Sequence, residues 1–329
     1  MDFAELTKTK NRPDVFPSSG LQHVARVESI LLRGARHYLE DKGYVEVSVP
    51  HITRATGACE NIYTLFGLDY FGEQAYLSQT GQLYLEVLTP FLSKVWCVGP
   101  SFRAENRVDG RHLTEFSLLE LEFKGDFEQL LSEIESVVCA MIRELIRSEG
   151  ASELGAEIER LKGVGTPFKR ITYSEAVDLL SREGVKWGDD LQSHHERMLV
   201  EMLGGKPLFI THYPKSIKFF NMIEDEKDPR VVRSADLILP HSGEAAGAAE
   251  REYRHDKLVD KLMSSNMMKM LVERGGSPRD FDWYLDFYRK HGTPHSGCGI
   301  GVNRITQFAL ASDDIRAATV YPMNRDSLL

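Results

Sequence analysis

Phe102, Arg103 and Glu105, followed by Arg111, His112 and Phe116, bring cationic, anionic and aromatic side chains into one short stretch. A guanidinium presents a planar fork of donors that matches phosphate oxygens. A ring such as Phe116 offers a face on which a flat base can stack. β-forming residues lie on both sides, Lys94–Val98 before and Phe116–Glu120 after. The stretch therefore reads as two antiparallel strands joined by the polar loop Asn106–Gly110. Alternation along a strand would put Arg103 and Glu105 on one sheet face. These residues could bind a nucleoside phosphate. The plainer alternative is a surface hairpin with solvated ion pairs, which are common and contribute little.

A second segment, Gly297-Cys298-Gly299-Ile300-Gly301-Val302-Asn303-Arg304, runs into the amphipathic Ile305–Leu310. Alternate glycines leave one face of a strand bare, so a flat ligand can lie against the backbone. Arg304 then opens the following helix. A dinucleotide-binding fingerprint would need a third glycine, early in a βαβ unit. Here Arg304 stands in that place, near the end of the chain.

In this order, the two segments resemble motifs two and three of class II aminoacyl-tRNA synthetases, in the aspartyl/asparaginyl subgroup. Val24–Lys42 followed by Gly43–Pro50 resembles motif one. Gln79–Glu86, His212–Phe220 and Asp236–Glu252 resemble further segments of the same subgroup, so the likeness runs from about residue 20 to the end. The resemblance implies an α+β fold, a mainly antiparallel sheet of about six to seven strands flanked by helices. It also implies ATP and Mg2+ as cofactors, and a homodimer built on the motif-one segment.

The resemblance implies roles for individual residues. Arg103 would contact the α-phosphate and the acid, and Glu105 the adenine amino group. Phe116 would stack on one adenine face, while Arg304 stacks on the other or holds the γ-phosphate. Arg111 and His112 would grip the outer phosphates. Asp236 and Glu244 would bear the metal. Arg251, Gln82, Glu120 and Lys218 would contact the amino-acid substrate, and His295 would line the site. Trp96, Trp283 and Tyr284 read as core.

Composition bounds the rest. The chain has 329 residues, 42% hydrophobic and 27% charged, an ordinary globular balance. Cys59, Cys97, Cys139 and Cys298 are widely spaced, which argues against zinc and for a reducing compartment, the cytoplasm. No apolar run approaches a membrane span. Residues 1–20 read as a tail, and 21–329 as one catalytic domain. Residues 126–206 read as a mainly helical elaboration, in which Gly163–Pro167 is a loop between helices.

The net charge of −9 weighs against nucleic acid as a partner, since phosphate neutralisation dominates that binding. Motif one begins too early for an N-terminal anticodon-reading barrel of the kind the subgroup carries. Where the family has an acid that holds the substrate's α-ammonium, this chain reads Arg54-Ala55-Thr56-Gly57-Ala58, with Glu60 nearby. Asn303 replaces the usual acid before the motif-three arginine, and Tyr321-Pro322-Met323-Asn324-Arg325 replaces the usual F-P-R ending. Truncated relatives of the subgroup act as stand-alone asparagine synthetases. Leu85 and Glu120, however, match asparagine-specific members, where aspartate-specific ones carry Lys and Asp. The leading expectation is an AMP-forming ligase of the aspartate–ammonia type. It would pass an aspartate- or asparagine-like acyl group to ammonia or a small amine, with tRNA not a partner. The alternatives are an asparaginyl-tRNA synthetase paralogue that charges tRNA, and a non-catalytic binding or regulatory paralogue.

Overall fold

The computed structural model describes residues 3–8, 12–55, 62–149, 154–155 and 157–328. Its centre is a sheet of β1 (Val45–Glu46), β5 (Lys94–Phe102), β6 (Glu115–Phe123), β7 (Lys169–Thr172), β8 (Leu208–Thr211), β9 (Ser234–Leu239), β10 (Gly243–Glu250) and β11 (Ser296–Gly301). Their order is β1-β5-β6-β11-β10-β9-β8-β7. A small second sheet joins β2 (Ile52–Thr53), β3 (Gly67–Tyr70) and β4 (Glu73–Leu77). The main sheet is mainly antiparallel and flanked by helices, as expected. It is wider than expected because two outer strands add to it, β1 and β7, each paired in parallel.

Two amphipathic helices cover one face. In Ser19–Asp41 the stripe Val24, Val27, Leu31, Ala35 and Leu39 is buried. In Phe127–Arg147 the stripe from Leu130 through Ile134, Val138 and Met141 to Leu145 is buried against it. Burying each such side chain contributes roughly 1.5–3 kcal/mol. Gly34 lets the helices touch: a Cβ there would lie 2.6 Å from Glu144 Cβ and 2.8 Å from the Ala140 carbonyl oxygen. Both helices are stopped upstream by side-chain caps, Ser18 on the Leu21 N–H and Asp126 in a reciprocal box with Gln129.

The region 126–206 does more than expected. Its first helix belongs to the main core, and its chain returns to the sheet as β7, so Gly163–Pro167 links a helix to a strand. Trp96 and Tyr284 are buried, but Trp283 is half-exposed and stacks on Tyr84 at 5.3 Å.

The segment read as a tail is packed. Leu6 and Val15 are buried, and Arg12 is 0% exposed. The Arg12 guanidinium donates to the carbonyls of Val320 (2.9 Å), Leu6 (2.5 Å) and Thr319. The N-terminal segment is thus tied to the last stretch of chain. Arg12→Met would leave buried carbonyls without donors, at roughly 1–3 kcal/mol for such a group. We expect a loss of about 3 kcal/mol in unfolding free energy, read from the denaturant midpoint. An unchanged midpoint would contradict this role.

Candidate active site

A cavity of about 410 Å³ opens on the face of β6, β11, β10 and β9 away from the two long helices. Arg103, Glu105, Arg111, His112, Phe116, Gln82, Glu120, Lys218, Asp236, Glu244, Arg251 and Arg304 all line it. Residues from distant parts of the chain therefore converge on one site.

Arg103 and Glu105 do not alternate along a strand, because β5 ends at Phe102. They sit in the connecting loop, held by Arg103 N–H to Thr114 O (2.9 Å) and Ala104 N–H to Thr64 O (2.7 Å). The Arg103 guanidinium lies 5.3 Å from the Phe116 ring centroid. Further along the loop, Asp109 accepts from the Arg111 and His112 N–H groups and faces the His112 ring at 2.8 Å.

Arg304 follows β11 directly, at the start of the helix Val302–Leu310. It donates to the carbonyls of Ser242 and Arg111, both at 2.7 Å, and to Gln307 Oε1 at 3.3 Å. Burial, with Arg111 nearby, lowers its pKa to about 10. Two neutral carbonyls hold it, which leaves its charge largely available to an anion. Asn303 accepts from Ser117 N–H (3.0 Å) and donates to Glu28 (3.3 Å), which braces the helix start at the cavity wall.

The glycine strand divides its work. Gly299 and Gly301 face the cavity. Gly297 pairs across from Glu122, and a Cβ there would meet the Glu122 carboxyl at 2.0–2.3 Å. That bare face is filled by a carboxylate, not by a ligand.

Below this lies a buried charge cluster. Arg251, 3% exposed, donates through Nε (3.1 Å) and Nη2 (2.6 Å) to one oxygen of Glu122. Glu86, 0% exposed, lies 3.8 Å from Arg251. It accepts from Gln82 (2.6 Å), Asn221 (2.6 Å), Tyr284 (2.5 Å) and Tyr288 (3.0 Å). Burial would push the Glu86 carboxyl up, but His295, Arg251 and Tyr284 outweigh it and hold the group ionised. Burial raises Glu122, Arg251 pulls it back, and Glu86 adds to the rise. The two short Arg251 contacts mark Glu122 as that cation's ionised partner. His295 sits behind the floor, 3.1 Å from Tyr288 and 3.5 Å from Glu86. Glu120 accepts from Thr80 Oγ1 and from Gly81 N–H (2.7 Å).

Asp236 and Glu244 meet because of a bulge. Gly247 pairs with Asp236, and three residues of regular strand would turn Glu244 to the opposite face. The register shifts between Glu244 and Ala246, which restores a shared face. Both carboxylates come close to the position of a Cβ on Gly247, at 3.7 and 3.8 Å. Lys218 pairs with Asp236 at 2.9 Å. Among the described residues, no group of three or more His, Cys, Asp and Glu could hold a metal alone. Two convergent carboxylates suit magnesium, a hard cation that takes one or two of them and completes its shell with phosphate and water.

The sequence reading missed Asp190, Glu196 and Tyr213, which also line the cavity. Glu196 had a signal: it falls among His195, Leu199 and Val200 on the buried face of the helix Ser193–Met202. A charge on an apolar stripe calls for a partner. The altered loop had the reverse fate. Thr56, Gly57, Ala58 and Glu60 lie outside the described residues, and Arg54 pairs with Glu73.

The family described as "tRNA synthetases class II (D, K and N)" matches residues 5–325. The asparagine–tRNA ligase of Pyrococcus abyssi is 41% identical over 305 residues, covering 91% of this chain and 68% of the relative. The cytoplasmic asparagine–tRNA ligase of Mus musculus is 33% identical over 322 residues, covering 95% and 55%. The crystal structure of asparaginyl-tRNA synthetase from Pyrococcus horikoshii complexed with asparaginyl-adenylate is similar with a TM-score of 0.87 and 38% identity, covering 96% of this chain and 72% of that one. An aspartyl tRNA synthetase from Entamoeba histolytica is similar at 0.77 and 26%, covering 97% and 62%. With motifs, fold and a family match over residues 5–325 in agreement, this chain belongs to the class II tRNA synthetase family of the D, K and N type.

Proposed function

We propose that the cavity joins asparagine to ATP as an asparaginyl-adenylate and passes the asparaginyl group to tRNA. The observation that carries this reading is the charge balance of the floor. A bare arginine at Arg251 would select a carboxylate. Here two acids, Glu122 and Glu86, already offset its charge, and Glu120 adds a further acid nearby. Such a floor favours a neutral carboxamide, which can both donate and accept, over the charged side chain of aspartate. The likeness to the Pyrococcus horikoshii enzyme in complex with asparaginyl-adenylate supports the same substrate.

The chemistry follows from placement. The α-carboxylate of asparagine attacks the α-phosphorus of ATP, the bond to the bridging oxygen breaks, and pyrophosphate leaves. Arg103 meets the charge that develops on the α-phosphate, and its neighbour Phe116 carries the adenine. Glu105 accepts from the adenine amino group. Arg111, His112 and Arg304 hold the outer phosphates, while Gln82 and Lys218 align the amino acid. Magnesium, held by Asp236 and Glu244, would neutralise the triphosphate. A ribose hydroxyl of tRNA then attacks the acyl carbon, and AMP leaves.

This corrects the expectation of an aspartate–ammonia ligase for which tRNA is no partner. Relatives at 41% and 33% identity over most of the chain are asparagine–tRNA ligases, which overturns both parts. The physical reasons are clear. A net charge of −9 sums the whole chain and does not fix the potential of one face. Glu120, expected to contact the amino-acid substrate, already has both oxygens engaged by Thr80 and Gly81.

Two predictions test the reading. The protein should exchange pyrophosphate into ATP with asparagine and far more slowly with aspartate, and should form acid-stable asparaginyl-tRNA. Arg103→Ala should lower kcat/KM for exchange by on the order of 100-fold. ADP as the product would sink the adenylation chemistry. Second, Glu122→Gln leaves Arg251 less balanced, so the ratio of asparagine to aspartate exchange should fall about tenfold. A loss that strikes both substrates equally would show that Glu122 only supports the fold.

A further inference from the structure

The helix Ser193–Met202 lies in the region that sequence reading treated as an elaboration. It is anchored by Leu199 and Val200 against Leu208, Ile210 and Ile238 of β8 and β9. Its Glu196 is 7% exposed and lines the cavity. One oxygen, Oε2, accepts from the Arg111 guanidinium (3.1 Å) and from the Glu244 N–H (3.2 Å). These partners belong to different elements, the loop between β5 and β6 and the first residues of β10.

The turn is shaped around this contact. Gly243 has φ +70°, and a Cβ on it would lie 2.8 Å from both Glu196 Oε2 and Arg111 Nη2. A side chain there would force the ion pair apart. Arg304 braces the same point from the other side, through the carbonyls of Ser242 and Arg111.

We propose that Glu196 is a positioning residue for ATP. It holds the Arg111 guanidinium at the place of the outer phosphates and fixes the backbone of Glu244 beside it. The proposal rests on the reading of the cavity as an ATP site. Without Glu196, the Arg111 side chain is free to leave the cavity wall for solvent, and ATP must restrain it on binding. The carboxylate's Oε2 is turned to Arg111 and to the Glu244 N–H at the start of β10. Among the described residues, no hydrogen bond or ion pair of Glu86, Glu122 or Arg251 reaches Glu196 or Arg111, so asparagine binding should not depend on this assembly.

The test is direct binding by calorimetry of ATP, and separately of asparagine, to the full chain. Wild type, Glu196→Gln, Glu196→Asp, Arg111→Ala and the double variant Glu196→Gln/Arg111→Ala are compared, each with a thermal melt. Glu196→Gln should weaken ATP about tenfold, the size of one charge-assisted contact, and leave asparagine unchanged. Glu196→Asp, which keeps the charge, should recover part of the loss. The double variant should bind ATP no more weakly than Arg111→Ala alone, because both changes remove one unit. Unchanged or tighter ATP binding in Glu196→Gln would overturn the proposal, as would multiplying losses in the double variant. A parallel loss of ATP, asparagine and melting temperature would reduce Glu196 to a structural role and equally overturn it. Failure of the wild type to bind ATP would instead bring down the reading of the cavity itself.

Discussion

The contact between Arg251 and Glu122 fixes much of what surrounds it. It joins the end of β10 to β6, and it sits in the space that Gly297 leaves open on β11 between them. Glu86 joins from the helix Gln82–Leu92, held in turn by Tyr284 and Tyr288 from the helix Asp282–His291. Burying charges costs several kcal/mol per ion, and only close pairing with full hydrogen bonding offsets it. The six side chains that donate to or face Glu86 meet that requirement for it. A cavity floor of fixed shape and matched charge is the result, and no buried acid or base there can leave without stranding its partner.

Above the floor, the site solves a different problem. Phosphate groups need concentrated positive charge, and Arg103, Arg111 and Arg304 would repel one another without restraint. Each is restrained separately. Arg103 lies against Phe116, Arg304 is held by two backbone carbonyls, and Arg111 is held by Glu196. The bulge after Glu244 and the left-handed Gly243 turn bring two carboxylates and this cationic wall to one rim. Backbone irregularity, rather than a special side chain, is what joins the edge carrying Asp236 and Glu244 to the one carrying the arginines.

The parts legible in the sequence were local. Two runs of β-formers around a polar loop gave β5 and β6, and the glycine alternation before Arg304 gave β11 and its helix. The same residues carried the family likeness, and twelve of the thirteen side chains it singled out share one cavity, with His295 behind its floor. What was hidden depended on distant partners. Arg12 looks like a tail residue until its carbonyl partners 307 and 308 positions away are seen. Glu196 meets Arg111 across 85 positions. Gly297 resembles a ligand-facing glycine because composition cannot show that Glu122 fills its gap. The acceptor was misjudged for a similar reason: a whole-chain charge was read as if it described a surface.

The central claim is that a charge-matched floor chooses the carboxamide over the carboxylate. The most direct measurement is calorimetric comparison of two stable adenylate mimics, the sulfamoyl analogues of asparaginyl- and aspartyl-adenylate. They differ only at the group that meets the floor. The account predicts that the asparaginyl mimic binds tighter by on the order of 100-fold, the discrimination expected when a charge enters a site whose own charges are already paired. Equal affinity, or tighter binding of the aspartyl mimic, would contradict it.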